Sequence, residues 1–292
     1  MALITIKNSV ITVTLDSEGA VLHSIVREGI EYLWQGDARY WKRRDANLFP
    51  YVGRLTEGKY ICNGREYPMS THGFCIGTEF DVEAQGEDSV SFVLTDNAER
   101  RESYPFRFAF HVSYKLDGAC IVKKCTVENL GGETMYFGLG GHPGFNVPLA
   151  DVGDFSDWYL EFAEPCEPMR VDLDEATYRL AGTESPFPLV GSRILPLSHA
   201  LFDLDAVVLG GTARAVTLKS SKSTHSVTVA FPDMPFVGFW HAPHTDAPYV
   251  CIEPWVSLPS HTDYVEDIAR QAHIIALAAG KSYDNTLTID IA

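Results

Sequence analysis

Two short stretches carry side chains suited to proton transfer. In residues 138–149, "GLGGHPGFNVPL", an imidazole stands between a Gly-Gly step and a Pro-Gly step. No amphipathic pattern runs through the stretch, so its stiff backbone serves to aim His142 at something other than protein. In residues 248–259, "PYVCIEPWVSLP", Glu253 follows the apolar run Tyr249-Val250-Cys251-Ile252 and precedes Pro254-Trp255. A carboxylate placed there is partly desolvated, which raises its pKa and makes it a stronger base. If His142 and Glu253 face one cleft, they offer one substrate an acid and a base of different type. The plainer alternative for Glu253 is a satisfied ion pair with Arg54 or another cation.

Two further stretches join glycine to a polar residue. In "NLFPYVGRL", Arg54 follows Gly53; it either reaches into a pocket or pairs with one of the 39 acidic residues. In "STHGFCIG", His72 precedes Gly73 and is either a turn residue or part of a site. The ten histidines form no HxH or HExxH arrangement, and "WHAPHTD" (His241, His244, Asp246) is only loosely metal-like. No metal and no cofactor are expected. A glycine-rich phosphate loop and a GxSxG elbow are both missing, which excludes nucleotide and serine-hydrolase chemistry.

Strands must position these groups. Period-two alternation dominates the 292 residues. "ITIKNSVITVTLD" predicts two strands split at Asn8-Ser9, and "AVLHSIVREGIEYLW" two more around Glu28-Gly29. "KYICNGREYPM" predicts a hairpin turning at Asn63-Gly64. "FDVEAQGEDSVSFVLTD" repeats the theme, and residues 106–140 predict three strands joined at Asp117-Gly118 and Gly131-Gly132. Helical periodicity is confined to "TDYVEDIARQAHIIAL", with Thr262 as a cap. Residues 151–190, with four prolines, are expected to run irregularly over one face. Strand signals at regular spacing without a linker predict an all-β fold with few short helices, a single domain over residues 1–292.

Charge narrows the partners. Lys and Arg total 23 against 39 Asp and Glu, a net charge of −16, which disfavours nucleic acid and anionic membranes. Six cysteines without CxxC spacing, and an N-terminus without a basic and then apolar region, predict reduced thiols in a cytoplasmic protein.

The motifs go further as a set. "WKRRDANLFPYVGRL", "THGF", "GLGGHPGFNVPL", "LFDLDAVVLG" and "VCIEPW", in this order, resemble the aldose 1-epimerase (galactose mutarotase-like) family, closest to its bacterial lactose-operon-type branch. The resemblance implies a large antiparallel β-supersandwich whose substrates are free aldoses. It implies Glu253 as the general base on the anomeric hydroxyl and His142 as the general acid on the ring oxygen. Arg54 and His72 fall on substrate-contacting positions, and Trp255 or Phe239 would floor the pocket. A homodimer fits this reading. No arginine follows "THGF", where Cys75-Ile76-Gly77 stands instead, which removes a charge that phosphate recognition would use. The family's hydroxyl-binding carboxylate has no assigned match, Asp246 being merely near in sequence. The alternatives are a hexose-6-phosphate 1-epimerase, with Lys42, Arg43, Arg44, Arg100 and Arg101 as rim cations, and a non-catalytic carbohydrate-binding module on the same fold. Hydrogen-bond reach on either side of a sugar's C1–O5 edge puts the His142 and Glu253 side chains roughly 5–8 Å apart across one cleft.

Overall fold

Alternating burial along each strand explains the architecture of the computed structural model, which describes residues 2–292. Strand Cys120–Asn129 turns Ile121, Cys125 and Val127 inward while Lys124 faces water. The same pattern repeats across a nine-stranded antiparallel sheet. Its order is Ile194–Pro196, Trp158–Phe162, Ala215–Ser220, Val227–Ala230, Ser282–Ile291, Cys120–Asn129, Phe108–Asp117, Ser89–Thr95 and Asp81–Gln85.

An eight-stranded sheet packs against it. Leu180–Pro186, Met169–Leu173, Val207–Gly210, Phe236–Trp240, Tyr249–Trp255, Gly140–Gly141 and Asn47–Leu48 run in that order, with Gly144–Asn146 pairing beside Tyr249–Trp255. Between the sheets lies one large core. Phe110, Val112, Leu160, Val229 and Ile289 meet Val207, Leu209, Val237, Val250 and Ile252 there. Removing this much apolar surface from water is what chiefly holds the sheets together.

The expected hairpins form. Leu3–Lys7 pairs with Thr12–Asp16, and Lys59–Cys62 with Arg65–Pro68 across Asn63 and Gly64, both at positive φ as a tight two-residue turn requires. Phe108–Asp117 and Cys120–Asn129 pair along their full length, whereas the third strand of that group, Met135–Phe137, pairs with Ile275–Leu277 instead.

Two expectations are corrected. No helix forms in residues 262–277. The Ile61 N–H bonds the Glu266 carbonyl at 2.8 Å and the Ile268 N–H bonds the Ile61 carbonyl at 2.9 Å, so tertiary pairing takes the groups a helix would need. The α-helix assigned among the described residues is Arg100–Ser103. Residues 151–190 are likewise no irregular excursion. They supply Trp158–Phe162 to one sheet and Met169–Leu173 and Leu180–Pro186 to the other. The prolines flank those strands or, at Pro186, end one at a sheet edge. No helix among the described residues is long and apolar enough to cross a membrane.

One inward position of the nine-stranded sheet carries a charge. Lys123 lies at an inward position of strand Cys120–Asn129, 2% exposed, with Nζ 4.0 Å from a carboxylate oxygen of buried Asp45. Asp45 also accepts the N–H groups of Leu22 and Ala46, at 3.1 and 2.8 Å. Removing the carboxylate strands a buried ammonium, so Asp45→Ala should lower the unfolding free energy by about 3–5 kcal/mol. The double change Asp45→Ala with Lys123→Met should recover much of that loss. Urea denaturation of both variants checks it.

Candidate functional site

The register of two strands creates the site. Gly144 lies opposite Cys251 and Gly140 opposite Trp255 on the central strand Tyr249–Trp255. That antiparallel register sets His142 directly across from Glu253. Side chains so opposed start from Cβ atoms about 4.5–5.5 Å apart. The His142 Nε2 and Glu253 Oε1 atoms lie 3.3 Å apart. This is closer than the 5–8 Å expected from a sugar edge held between them, because the two groups are neighbours on one sheet and not facing walls. Glycine at 140 is a packing necessity, since a Cβ there would lie 2.9 Å from Trp255 Cδ1.

Both groups open on a cleft of about 420 Å³, within the usual range of about 300–1,000 Å³ for small-molecule sites. Arg54, His72 and Trp255 line it. Phe239 does not. It is fully buried in the inter-sheet core, edge-on to Phe162 at 6.1 Å. Side chains alternate along Phe236–Trp240, so Val237 and Phe239 face the core and Trp240 faces the cleft. The aromatic expected at 239 is therefore supplied one residue later.

Backbone strain aims His72. It stands at φ 64° beside Gly73 at φ 81°, where a Cβ would come within 2.0 Å of the Phe49 carbonyl oxygen. The Gly53 N–H donates to His72 Nδ1 at 3.1 Å, so the ring proton sits on Nε2 and is available to the cleft. The His72 ring meets that of His142 edge-on at 5.6 Å.

Trp41, Asp205 and Trp240 are site residues that the sequence reading did not select. Trp41 stacks on the His142 ring, centroids 4.8 Å apart and planes at 25°. Asp205 accepts from the Arg54 guanidinium at 3.0 Å and from the Trp240 indole N–H at 2.7 Å. The signal for Asp205 was present in "LFDLDAVVLG", where it precedes strand Val207–Gly210. Asp246 lies away from the cleft lining and accepts from the Tyr40 hydroxyl at 2.8 Å.

Of the five rim cations, Arg43 lines the cleft. Arg44 donates to the His23 carbonyl at 2.5 Å, Arg100 to the Thr95 carbonyl at 3.0 Å, and Arg101 pairs with Asp96. The loose "WHAPHTD" group does not converge. His241 meets His199 at 3.1 Å, and His244 meets Asp203 at 3.3 Å.

Burial sets the titration of the pair. It pushes the Glu253 carboxyl well above the usual carboxylate range, and the nearby charge of Asp205 adds to the rise. The Trp255 indole N–H, which makes no well-formed hydrogen bond, offsets part of it. Burial draws His142 down to about 4, with a smaller push from Arg43. Burial thus disfavours charge on both groups, favouring the neutral ring and the protonated carboxyl. Such a pair can take a proton at one oxygen while giving one at another.

The chain has relatives along nearly its whole length. The sequence profile of the aldose 1-epimerase family matches residues 2–290. The plasmid-borne Protein LacX of Lactococcus lactis subsp. lactis is 34% identical, over 97% of this chain and 99% of that protein. A galactose mutarotase related enzyme from Lactobacillus acidophilus superposes with TM-score 0.94 at 33% identity, covering 100% of this chain and 97% of the other. A galactose mutarotase-like protein from Lactobacillus casei ATCC 334 gives TM-score 0.94 at 31% identity, with full coverage of both chains.

The His142 ring should stay neutral down to about pH 4. An imidazole that is neutral when folded and charges on unfolding costs stability as pH falls from about 6.5 toward 4, by up to about 1.4 kcal/mol per pH unit. Nitrogen-15 NMR of the histidine rings checks this. The His142 signals should remain those of a neutral ring at pH values where a free imidazole is already charged.

Proposed function

The chain belongs to the aldose 1-epimerase family, and from that premise we propose that it interconverts the α and β anomers of a free hexose. The observation that carries this reading is the 3.3 Å contact of His142 Nε2 and Glu253 Oε1 at the wall of one cleft. The anomeric hydroxyl oxygen and the ring oxygen are bonded to the same carbon. Two groups this close reach both oxygens at once.

Glu253 takes the proton of the anomeric hydroxyl as His142 delivers one to the ring oxygen. The bond from C1 to the ring oxygen breaks, leaving an aldehyde and a free hydroxyl. Rotation about C1–C2 turns the other aldehyde face toward that hydroxyl, and the two transfers run backward to close the second anomer. Neither an alkoxide nor an oxonium forms fully, and each group contributes about 10²–10⁴-fold.

The protonation chemistry is self-consistent. Carboxylate with imidazolium and carboxyl with neutral imidazole hold the same number of protons. The first state opens the ring, and opening leaves the second, which closes it. Burial favours the second between turnovers, raising Glu253 and lowering His142. The short contact gives the proton a direct return path. His72 Nε2–H donates to a sugar oxygen, Arg54 and Asp205 hold hydroxyls, and Trp41, Trp240 and Trp255 offer faces for the sugar's C–H surface. The six free thiols support a reducing, cytoplasmic setting.

A second reading, a hexose-6-phosphate 1-epimerase, is favoured by Arg43. Its guanidinium lines the cleft and forms no ion pair with any described carboxylate. A non-catalytic sugar-binding module gains nothing from a buried acid–base pair.

Glu253→Gln and His142→Gln should each slow anomer exchange by about 10²–10⁴-fold while leaving circular dichroism unchanged. Polarimetry of freshly dissolved α-D-glucose and α-D-galactose measures this. Folded wild type that accelerates no free or phosphorylated sugar rejects the proposal. Glucose 6-phosphate as the only responsive sugar, with KM raised at least tenfold in Arg43→Ala, about 1.4 kcal/mol of lost binding, selects the second reading.

A further inference from the structure

We propose that His142, Cys251 and Glu253 together bind a borderline-soft divalent cation of the Zn²⁺ type, and that its binding switches the catalytic pair off. The three donor atoms lie within 4.8 Å of one another, and this is the group of three or more potential metal donors found among the described residues. Their convergence follows from the fold. Cys251 and Glu253 are two apart on strand Tyr249–Trp255 and so project from the same face, while His142 enters from the strand opposite.

The donor set is chemically selective. A thiol, an imidazole and a carboxylate together suit zinc, whereas an all-oxygen cluster would suit magnesium or calcium. All three residues are buried, Cys251 completely. The thiol does not line the cleft, so it forms the floor beneath the other two groups, which do. A cation held by these three keeps a fourth position facing the cleft.

Two details favour a site over ordinary packing. The His142 ring is nine-tenths buried and its Nδ1 has no hydrogen-bond partner among the described residues. Glycine opposite Cys251 also leaves room at the sulfur, because a Cβ at Gly144 would stand 3.3 Å from Sγ. Trp34, Trp41 and Tyr249 wall this space. As the metal binds, the Cys251 thiol and the Glu253 carboxyl each give up a proton to solvent, and the cation takes the lone pairs that Glu253 and His142 use for proton transfer.

Binding is read without any sugar, while the inhibition rests on the epimerase reading. Co²⁺ serves as the optical probe and Zn²⁺ alone as the calorimetric ligand. Expected are a single Zn²⁺ bound to the wild type and a thiolate-to-Co²⁺ charge-transfer band that Cys251→Ala and Cys251→Ser both lack. Zn²⁺ should lower kcat/KM at least tenfold, reversibly with a chelator. In Cys251→Ala the inhibition midpoint should rise by at least the roughly 10–100-fold that even an outer-shell partner is worth. A wild type without the charge-transfer band, or a band unchanged in both variants, overturns the site. A Cys251-dependent band on adding Co²⁺, in a protein that accelerates no sugar when free of metal, supports the site and removes the proposed activity instead.

Discussion

One strand pairing holds the site together: residues 140–146 against Tyr249–Trp255. It is a backbone constraint, made of N–H and carbonyl groups, and it does three jobs. It puts an imidazole across from a carboxylate, it buries both, and it brings a thiol to the same face. The glycines in residues 138–149 make this possible because side chains there would collide with Trp255, Leu48 and the sulfur of Cys251. Burial follows from the position of the strand near the middle of an eight-stranded sheet, with the core on one face and aromatic rings on the other. The unusual proton affinities of Glu253 and His142 are consequences of that location.

Around the pair, each neighbour is itself fixed by a second contact. Trp41 presses flat on His142, His72 is held through its Nδ1 by the Gly53 N–H, and Asp205 is gripped by Arg54 and Trp240. The loop ahead of Asn47–Leu48 supplies both Trp41 and Arg43 to the cleft and ends at Asp45, which is tied to Lys123 of the opposite sheet. Binding surfaces built on such doubly held groups lose little order when a ligand arrives.

Much of this was legible in the sequence, and the failures have physical causes. Hairpins were readable because turn residues and period-two alternation are local signals. His142 and Glu253 stood out because glycine, proline and a lone charge interrupt an apolar strand. Their separation was not readable, since it depends on which strands pair and in what register. Phe239 was chosen over Trp240 for the same reason: both are aromatic, and only the register says which one looks outward. Asp205 was hidden because an aspartate before a strand resembles an ordinary turn residue until Arg54 is seen beside it. The helix expected at residues 262–277 failed where contacts with Ile61 outweighed propensity. The strands in residues 151–190 were obscured by prolines that mark their ends.

The borders of the two sheets have a consequence of their own. One margin of the nine-stranded sheet is Asp81–Gln85, wholly exposed and carrying Asp81 and Glu83; the other is Ile194–Pro196, three residues long and closed by proline. The eight-stranded sheet ends in Asn47–Leu48, two residues long, and in Leu180–Pro186, which carries Glu184 and a terminal proline. None offers a long, neutral ladder of open amides to a passing chain. When many copies crowd together, these four margins give fibril growth no flat template from which to start.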